Sequence, residues 1–183
     1  GPGAMNLLTA IADARSDSIP LVAITGQVNR SLIGTDAFQE ADTFGLSFPI
    51  TKHSILVKSA KDLLTAIPQA FAIASSGRCG PVLVDVPRDV QLEKITFESW
   101  PECGIKDNHS ARFRTVGQDF ANAVSESAKM LINSKKPAIY VGGGCNSKQA
   151  SDGIKALQEI FPMPLVSSLM GIGSVPSNSN GYL

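Results

Sequence analysis

The run Pro81-Val82-Leu83-Val84-Asp85-Val86 constrains the fold of this chain more than any other segment. It is apolar at nearly every position instead of alternating with polar residues, which is typical of a strand buried on both faces. Such strands lie in parallel sheets with helices packed above and below. Pro87 ends the run, because proline cannot donate a hydrogen bond to a neighbouring strand. The run therefore predicts an α/β fold.

Strand-like and helix-like patterns, each weaker than this run, alternate along the rest of the chain. Short apolar runs predict strands, and apolar positions at helical spacing predict helices. Asp36 is predicted to cap a short helix, because Gln39 follows three residues later as in a capping box. The strands are predicted at residues 20–25, 51–57, 81–86, 136–141 and 164–167, and the helices at 4–15, 36–44, 59–76, 117–134 and 147–161. This alternation predicts parallel sheets covered by helices.

Residues 88–116 show no clear period, and aromatic, proline, glycine and charged residues are scattered through them. This pattern is typical of an interdomain linker. The sequence thus predicts a first domain at residues 1–87, a linker at 88–116 and a second domain at 117–183. The second part contains only two predicted strands, which are too few for a closed core. We therefore expect it to be part of a larger domain.

Charge and composition exclude several classes of function. The formal net charge is zero and no basic run occurs, which disfavours a nucleic-acid or acidic-membrane partner. No stretch of about 18 apolar residues is present, so the sequence predicts no membrane span. The three cysteines form no C-x-x-C pair, which disfavours a disulfide framework or a zinc site and favours a reducing compartment. They are Cys79, Cys103 and Cys145.

Few residues are suited to nucleophilic or acid–base chemistry. No Gly-x-Ser-x-Gly motif occurs. His53 lies in a predicted strand and His109 in the predicted linker, so structural or solvent-facing roles are favoured over catalytic ones. Glu40 and Asp42 lie on the predicted short helix. We interpret them as surface charges, with a position on the wall of a site as the alternative.

Two features are compatible with anion binding. The turn Gly142-Gly143-Gly144 follows a predicted strand and precedes a helix, where the backbone can approach a phosphate. A tight turn that needs glycine for its backbone alone is an equal alternative. Arg78, just before the strongest strand, could hold a phosphate or a carboxylate bidentately. From the residues alone, a cation at a helix C-terminus is the favoured interpretation of Arg78.

Five ordered stretches resemble a single enzyme family. They are Gly1–Asn6 with Ile11–Ala14 and Asp17–Pro20; Thr25–Val28 with Ile33–Glu40; Ser76–Arg78 with Gly80–Asp85; Tyr140–Gly144; and Ser167–Gly171. Together they resemble the thiamine-diphosphate carboligases, and the stretch Gly34–Glu40 resembles the acetohydroxyacid synthases (acetolactate synthases) in particular. The resemblance covers nearly the whole chain and is weakest in the predicted linker. A vector-derived start followed by Met5 is the alternative origin of the first residues.

The resemblance implies the C-terminal part of a pyrimidine-binding domain followed by the N-terminal part of a Rossmann-like central flavin-binding domain. In this family the catalytic glutamate precedes the Gly-Pro-Gly turn, and the magnesium and diphosphate site lies in a third domain. No catalytic residue and no metal ligand is therefore expected among these residues. We expect the chain to be an internal fragment that is inactive alone, binds flavin weakly or not at all, and is marginally stable.

The resemblance also implies roles for individual residues. Pro2 and Asn6 match positions near the aminopyrimidine ring of thiamine diphosphate, and Gln39 matches a glutamine that faces the same cofactor. Positions matching contacts to flavin adenine dinucleotide (FAD) are Arg78, Gly142, Gly143, Gly144, Ser168 and Leu169.

Four further positions match the family's substrate channel. Ala37 and Phe38 match positions that line it. Asn29 stands where many relatives have proline or a small residue, and Arg88 stands where lysine is usual. These last two departures are expected to alter channel contacts without changing the family.

The activity implied is decarboxylation of pyruvate and joining of the two-carbon unit to a second 2-oxo acid, pyruvate or 2-oxobutyrate, in branched-chain amino-acid synthesis. The implied cofactors of the parent enzyme are thiamine diphosphate, Mg²⁺ and a structural FAD. The implied assembly is a homodimer or tetramer that can bind a regulatory small subunit. The parent is expected in the cytoplasm, or in an organelle if it is eukaryotic.

Two other functions compete with this interpretation. One is a related thiamine-diphosphate carboligase that acts on glyoxylate, which the stretch Gly34–Glu40 argues against. The other is a non-enzymatic nucleotide-binding module made of two small sheets. The module predicts tight flavin or nucleotide binding and one cooperative unfolding transition in the chain itself.

Overall fold

A computed structural model describes residues 1–100 and 118–183 of the chain. They form two compact units, Gly1–Thr115 and Val116–Leu183. Both units are built from parallel strands and helices, which confirms the predicted α/β class. Cys103, His109 and most of the predicted linker lie outside the described residues. The domain boundaries drawn from the sequence stay a prediction.

The first unit contains a three-stranded parallel sheet. Its strands are β1 (Leu21–Gln27), β2 (His53–Leu56) and β3 (Pro81–Pro87), in the order β1-β3-β2. All seven residues of β3 are buried, as its nearly continuous apolar run predicts. Gln27 pairs with Pro87, so β1 and β3 end at the same level.

Helices cover both faces of this sheet. The helices are α1 (Pro2–Met5), α2 (Leu7–Ser16), α3 (Thr43–Ser47), α4 (Leu63–Ser75) and α5 (Arg88–Leu92). Alternate residues of β3 point to opposite faces. Val82 and Val84 pack in one core cluster with the buried alanine face of α4, whereas Leu83 packs in a second cluster with Ile11 of α2.

The prediction of a short helix at residues 36–44 is wrong. Asp36 and Gln39 have backbone φ angles of 56° and 64°, in the left-handed region that no α-helix contains. The helix α3 begins only at Thr43, and the residue that caps it is Asp42, whose carboxylate accepts the Gly45 N–H at 2.8 Å. Glu40 therefore lies in a loop rather than on a helix.

Two smaller differences concern helix boundaries. The helix predicted at residues 4–15 is broken at Asn6 into α1 and α2. The segment Arg88–Leu92, predicted as linker, forms α5 directly after β3. Val90 of α5 is 1% exposed and belongs to the core cluster beneath α4. A single buried valine in five residues is too weak a periodic signal for the sequence to reveal.

The second unit contains α6 (Gln118–Asn133), β4 (Ile139–Val141), α7 (Lys148–Ile160) and β5 (Leu165–Ser167). β4 and β5 pair in parallel as a two-stranded sheet, as predicted. The buried core cluster around them is small and consists of Val141, Leu165 and Val175. Large apolar side chains on the helices remain exposed, among them Met130 (72%) and Ile160 (81%).

The alanine face of α4 generates a stability prediction. Ala70 is fully buried against the sheet, so Ala70→Leu would overpack the core. We expect the free energy of unfolding to fall by about 1–3 kcal/mol. The exposed neighbour Gln69→Leu is the matched control and should change it by less than about 0.5 kcal/mol. Urea unfolding measures both, and equal effects would contradict the tight packing of α4 on β3.

Candidate functional site

A cleft of about 490 Å³ lies at the carboxyl end of the first sheet. Its walls come from four parts of the chain: the opening turn Gly1–Gly3, the end of β1 with the following segment (Gly26–Asn29 and Leu32), the loop residues Phe38 and Gln39, and Arg88. In parallel sheets the carboxyl ends of the strands are where ligands bind. This cleft is therefore the candidate site of the first unit.

The opening turn and the loop meet at Gly1. A Cβ atom on Gly1 would lie 1.8 Å from the carbonyl oxygen of Gln39, so no residue with a side chain fits without movement. The Gly1 amino nitrogen donates to the carbonyl of Gly26 at 3.3 Å. The turn therefore lies between the end of β1 and the left-handed Gln39, and all three parts line the cleft.

Pro2 and Asn6, both predicted to face the cofactor, have different positions. Pro2 lies at the first position of α1 and lines the cleft. Asn6 is exposed at the junction of α1 and α2 and is not one of the residues that line it. The structure thus brings Pro2 and Gln39 into one cleft and leaves Asn6 one turn of helix away.

The loop that carries Gln39 also presents Phe38 to the cleft. Phe38 is 89% exposed, more than any other large apolar residue in the described part of the chain. Ala37, predicted beside it in the channel, is half-buried and does not line the cleft. Phe38 and Gln39 are therefore the two loop side chains available to a ligand there.

Glu40 holds this loop together. Its carboxylate accepts the backbone N–H groups of Gly34 and Ala37, the latter at 3.0 Å. These backbone donors hold the pKa of the Glu40 carboxyl below its usual value, with the Gly34 N–H as the main cause. The sequence pattern indicates only a surface charge or a site-lining residue at Glu40, not this role in the loop. It also lines an adjacent cavity of about 400 Å³.

Asn29 and Arg88 also line the cleft. The residues that follow them, Arg30 and Asp89, form an ion pair with Nε and Oδ2 2.6 Å apart. This pairing raises the pKa of the Arg30 guanidinium and lowers that of the Asp89 carboxyl. Neither Arg30 nor Asp89 was singled out from the sequence, because their partners are distant along the chain.

A buried polar network adjoins the cleft, and the sequence patterns do not predict it. Asp85 of β3 is fully buried and accepts hydrogen bonds from Thr25 Oγ1 at 2.8 Å and from Gln27 Nε2 at 3.1 Å. The Gln27 amide also donates to the carbonyl of Ala41 at 2.8 Å and accepts the Val28 N–H at 2.9 Å. Asp85, an aspartate inside an otherwise apolar strand, is the sequence feature that could have indicated this network. The network fixes the end of β1 where the cleft begins.

In the second unit, the glycine turn lies beside the segment that follows β5. The N–H of Ser168 donates to the carbonyl of Val141 at 2.8 Å, directly before Gly142. Gly143 packs on Met170, with only 3.1 Å between its would-be Cβ and the Met170 Cβ. Leu169 is 83% exposed. The predicted flavin-contacting residues Gly142, Gly143, Gly144, Ser168 and Leu169 therefore cluster at the carboxyl edge of the two-stranded sheet.

Arg78 is bonded within the first unit. Its guanidinium donates to Ser18 Oγ at 2.7 Å and to the carbonyl of Ser16 at 3.2 Å. Ser16 is the last residue of α2, where cations interact favourably with the helix dipole. This geometry matches the helix-terminus interpretation, though at α2 rather than at the helix that precedes Arg78.

The described ranges, 1–100 and 118–183, contain no group of three or more histidine, cysteine or acidic residues placed to hold a metal ion. Within the same ranges, none of the helices combines the length and the apolar character needed to cross a bilayer.

Comparison with known proteins decides the family. Residues 1–46 match the thiamine pyrophosphate enzyme N-terminal TPP binding domain, and residues 124–183 match the thiamine pyrophosphate enzyme central domain. The acetolactate synthase large subunit of Mycobacterium tuberculosis is 48% identical over 182 residues, which is 97% of this chain. The chain belongs to the acetolactate synthase family of thiamine pyrophosphate enzymes.

Other members of the acetolactate synthase family are similarly related. The isozyme 2 large subunit of Escherichia coli is 46% identical and the large subunit of Cyanidium caldarium is 43% identical, each over the whole of this chain. The chain spans 28–32% of the length of these three relatives. It thus corresponds to a segment of an acetolactate synthase large subunit.

The bonds of Glu40 generate a pH prediction. Its pKa is lowered in the folded chain, so Glu40 supports the loop above its unfolded pKa and loses this effect as the pH falls through the folded pKa. We expect the amide protons of Gly34 and Ala37 to titrate together below pH 4.5, the ordinary value for glutamate. Nuclear magnetic resonance (NMR) titration measures this. Glu40→Gln should abolish the titration of both amides, whereas Glu159→Gln, a surface control, should leave it unchanged. Independent titration of the two amides would refute their shared hydrogen bonding to Glu40.

Gly171 generates a prediction for the second unit. A Cβ atom there would lie 2.3 Å from the carbonyl oxygen of Val141, the acceptor of the Ser168 N–H. Gly171→Ala should therefore reduce the protection of the Ser168 amide against hydrogen exchange by about tenfold. Gly144→Ala is the control, because a Cβ atom at Gly144 meets nothing within 4 Å. Unchanged protection in Gly171→Ala would contradict the packing of the two segments.

Proposed function

We propose that this chain is the segment of an acetolactate synthase large subunit that holds the pyrimidine half of thiamine diphosphate in its first unit and part of FAD in its second. The observation that carries the proposal is the contact of Gly1 with the Gln39 carbonyl, which forms the cleft that Pro2 and Gln39 share. The parent enzyme would decarboxylate pyruvate and join the two-carbon unit to a second 2-oxo acid.

The lining of the first cleft is suited to a planar, polar ring. Its volume of about 490 Å³ lies within the range of small-molecule sites. Phe38 supplies an exposed aromatic surface, and Gln39 supplies an amide that can both donate and accept. Pro2 supplies a rigid apolar contact. An aminopyrimidine needs such a combination of stacking surface and hydrogen-bond partners.

Bound thiamine diphosphate supplies a carbanion-stabilising electron sink for the reaction. The residues of this chain would bind and orient the cofactor and the substrate. Gln39 and Pro2 would fix the ring, and Phe38 would exclude water from the adjacent substrate space. Arg88 is exposed on the cleft wall, where its positive charge would attract the carboxylate of pyruvate. Asn29 would complete the approach to the ring, whereas Ala37 lies beside the cleft without lining it.

The second unit supports a flavin site in a similar way. The glycine turn Gly142–Gly144 lets backbone approach a ligand closely, and Ser168 and Leu169 lie next to it at the sheet edge. Arg78 stays a proposed FAD contact of the parent enzyme, on the resemblance of its position alone. Magnesium would bind elsewhere in the parent subunit.

The wider biology of the parent also belongs to this proposal. Pyruvate and 2-oxobutyrate would be its substrates, in branched-chain amino-acid synthesis. The relatives are named large subunits, which supports a partner subunit of regulatory type. A homodimer or tetramer in the cytoplasm, or in an organelle of a eukaryote, stays a prediction.

A chimeric enzyme tests the proposal. The matching segment of the Mycobacterium tuberculosis large subunit would be replaced by residues 1–183, at 48% identity over 182 residues. We expect formation of acetolactate from pyruvate that depends on thiamine diphosphate. Gly1→Ala would push Gln39 away from the turn, so the cofactor concentration for half-maximal activity should rise by about tenfold or more.

The control is Gly153→Ala on α7, where a Cβ atom meets nothing within 4 Å and the cofactor concentration should change by less than about twofold. A folded chimera that carboligates glyoxylate but not pyruvate would replace this proposal with the related carboligase. Tight flavin binding by the isolated chain, with a single sharp unfolding transition, would favour the nucleotide-binding module instead.

A further inference from the structure

Arg30 joins the three segments that leave the carboxyl end of the first sheet. Its Nε donates to Asp89 Oδ2 at 2.6 Å, its Nη2 to Glu93 Oε1 at 2.6 Å, and its Nη1 to the carbonyl of Lys58 at 2.5 Å. Arg30 itself follows β1, Lys58 follows β2, and the two carboxylates lie on or next to α5, which follows β3. One guanidinium therefore links the chain ends of all three strands.

Both carboxylates also hold main chain. The second oxygen of Asp89 accepts the backbone N–H of Arg30 at 3.0 Å, and the second oxygen of Glu93 accepts the N–H of Ala60 at 2.7 Å. Hydrogen bonds to charged groups are shorter and stronger than neutral ones. The cluster thus fixes the direction of the backbone in the three segments, not only the position of three side chains.

The sheet register brings together two of the chains that carry this cluster, at the end of the sheet where the cleft lies. Gln27 pairs with Pro87, so the two chains leave the sheet side by side. Asn29 and Arg88 line the cleft, and the next residue in each chain, Arg30 or Asp89, turns away into the ion pair. The ion pair therefore ties the two chains together immediately after the residues that line the cleft.

We propose that Arg30 is a positioning residue, which through Asp89 and Glu93 sets the separation of Asn29 and Arg88 and so tunes which 2-oxo acid the cleft accepts. The selection of the acid rests on the proposed function. Arg30 does not line the cleft and acts through its neighbours.

An ordinary surface ion pair would not have this effect. The side chains of Arg30, Asp89 and Glu93 are 42%, 32% and 29% exposed, and isolated pairs at such exposure contribute little to stability. The distinguishing feature is the closed network with backbone partners in three segments, because a network restricts geometry beyond the effect of any one pair. The test must therefore measure geometry and selectivity rather than stability.

Hydrogen exchange of the chain itself tests the geometric part. Arg30→Met keeps the length of the side chain and removes its charge and donors. We expect residues 28–32, 58–60 and 88–93 to exchange faster together, by about fivefold or more. Lys155→Met is the control, because it removes an exposed cation paired with Asp152 in the second unit. Faster exchange in residues 28–32 alone, or in none of the three segments, would overturn the proposal.

Kinetics of the chimeric enzyme test the functional part. Arg30→Met should raise the KM for pyruvate and change the preference between pyruvate and 2-oxobutyrate as acceptor by about three- to tenfold, with kcat changed by less than about twofold. Arg30→Lys retains the charge without the fork of donors and should give an intermediate value. A merely structural role would lower kcat, through loss of active enzyme, at unchanged KM and acceptor preference; that result would refute the positioning role.

The two experiments separate this inference from the proposed function. If the unsubstituted chimera forms no acetolactate, the proposed function fails and the exchange data alone decide whether Arg30 holds the three segments. If Arg30→Met does not fold, Glu93→Gln is used in both experiments, because it keeps the shape of the side chain and removes its charge. An unchanged exchange pattern in Glu93→Gln would then overturn the inference.

Discussion

Burial of β3 on both faces is the constraint on which the first unit depends. Pro81–Pro87 is buried at every position and pairs in parallel with a strand on each side. Its alternate residues anchor α4 on one face and α2 on the other. Because β1 pairs with β3 up to Gln27 and Pro87, the chains that follow emerge together. The cleft lies at this shared exit, where the segments that follow the two strands line it together with the turn Gly1–Gly3 and the loop residues Phe38 and Gln39.

Asp85 is a buried charged residue within the otherwise apolar strand β3. A buried carboxylate is costly unless hydrogen bonds satisfy it, and Thr25 and Gln27 of the neighbouring strand do so. Gln27 in turn holds Ala41 and Val28. The interior network therefore connects the core to the loops of the cleft, and the ion pairs of Arg30 complete the same connection at the surface.

Comparison of prediction and structure shows where local patterns succeed. The strand at residues 81–86 and the helix at 147–161 were found nearly in full, because burial on both faces and an amphipathic period are each visible within a few residues. The helix at residues 36–44 was wrong, since the spacing of Asp36 and Gln39 imitates a capping box. Backbone bonds to Glu40 and the approach of Gly1 instead stabilise left-handed conformations there.

The sequence by itself determined the α/β class, the five strands and the family, because these depend on burial patterns and short motifs. It also indicated that Pro2, Gln39, Asn29 and Arg88 belong to a site through resemblance alone. Only the tertiary structure decided that these four line one cleft, that Asn6 does not, and that Arg30 and Asp85 support it. The physical reason is sequence distance: the partners of Gln27 and Arg30 lie 58 and 63 residues away, and no local pattern records which strands pair.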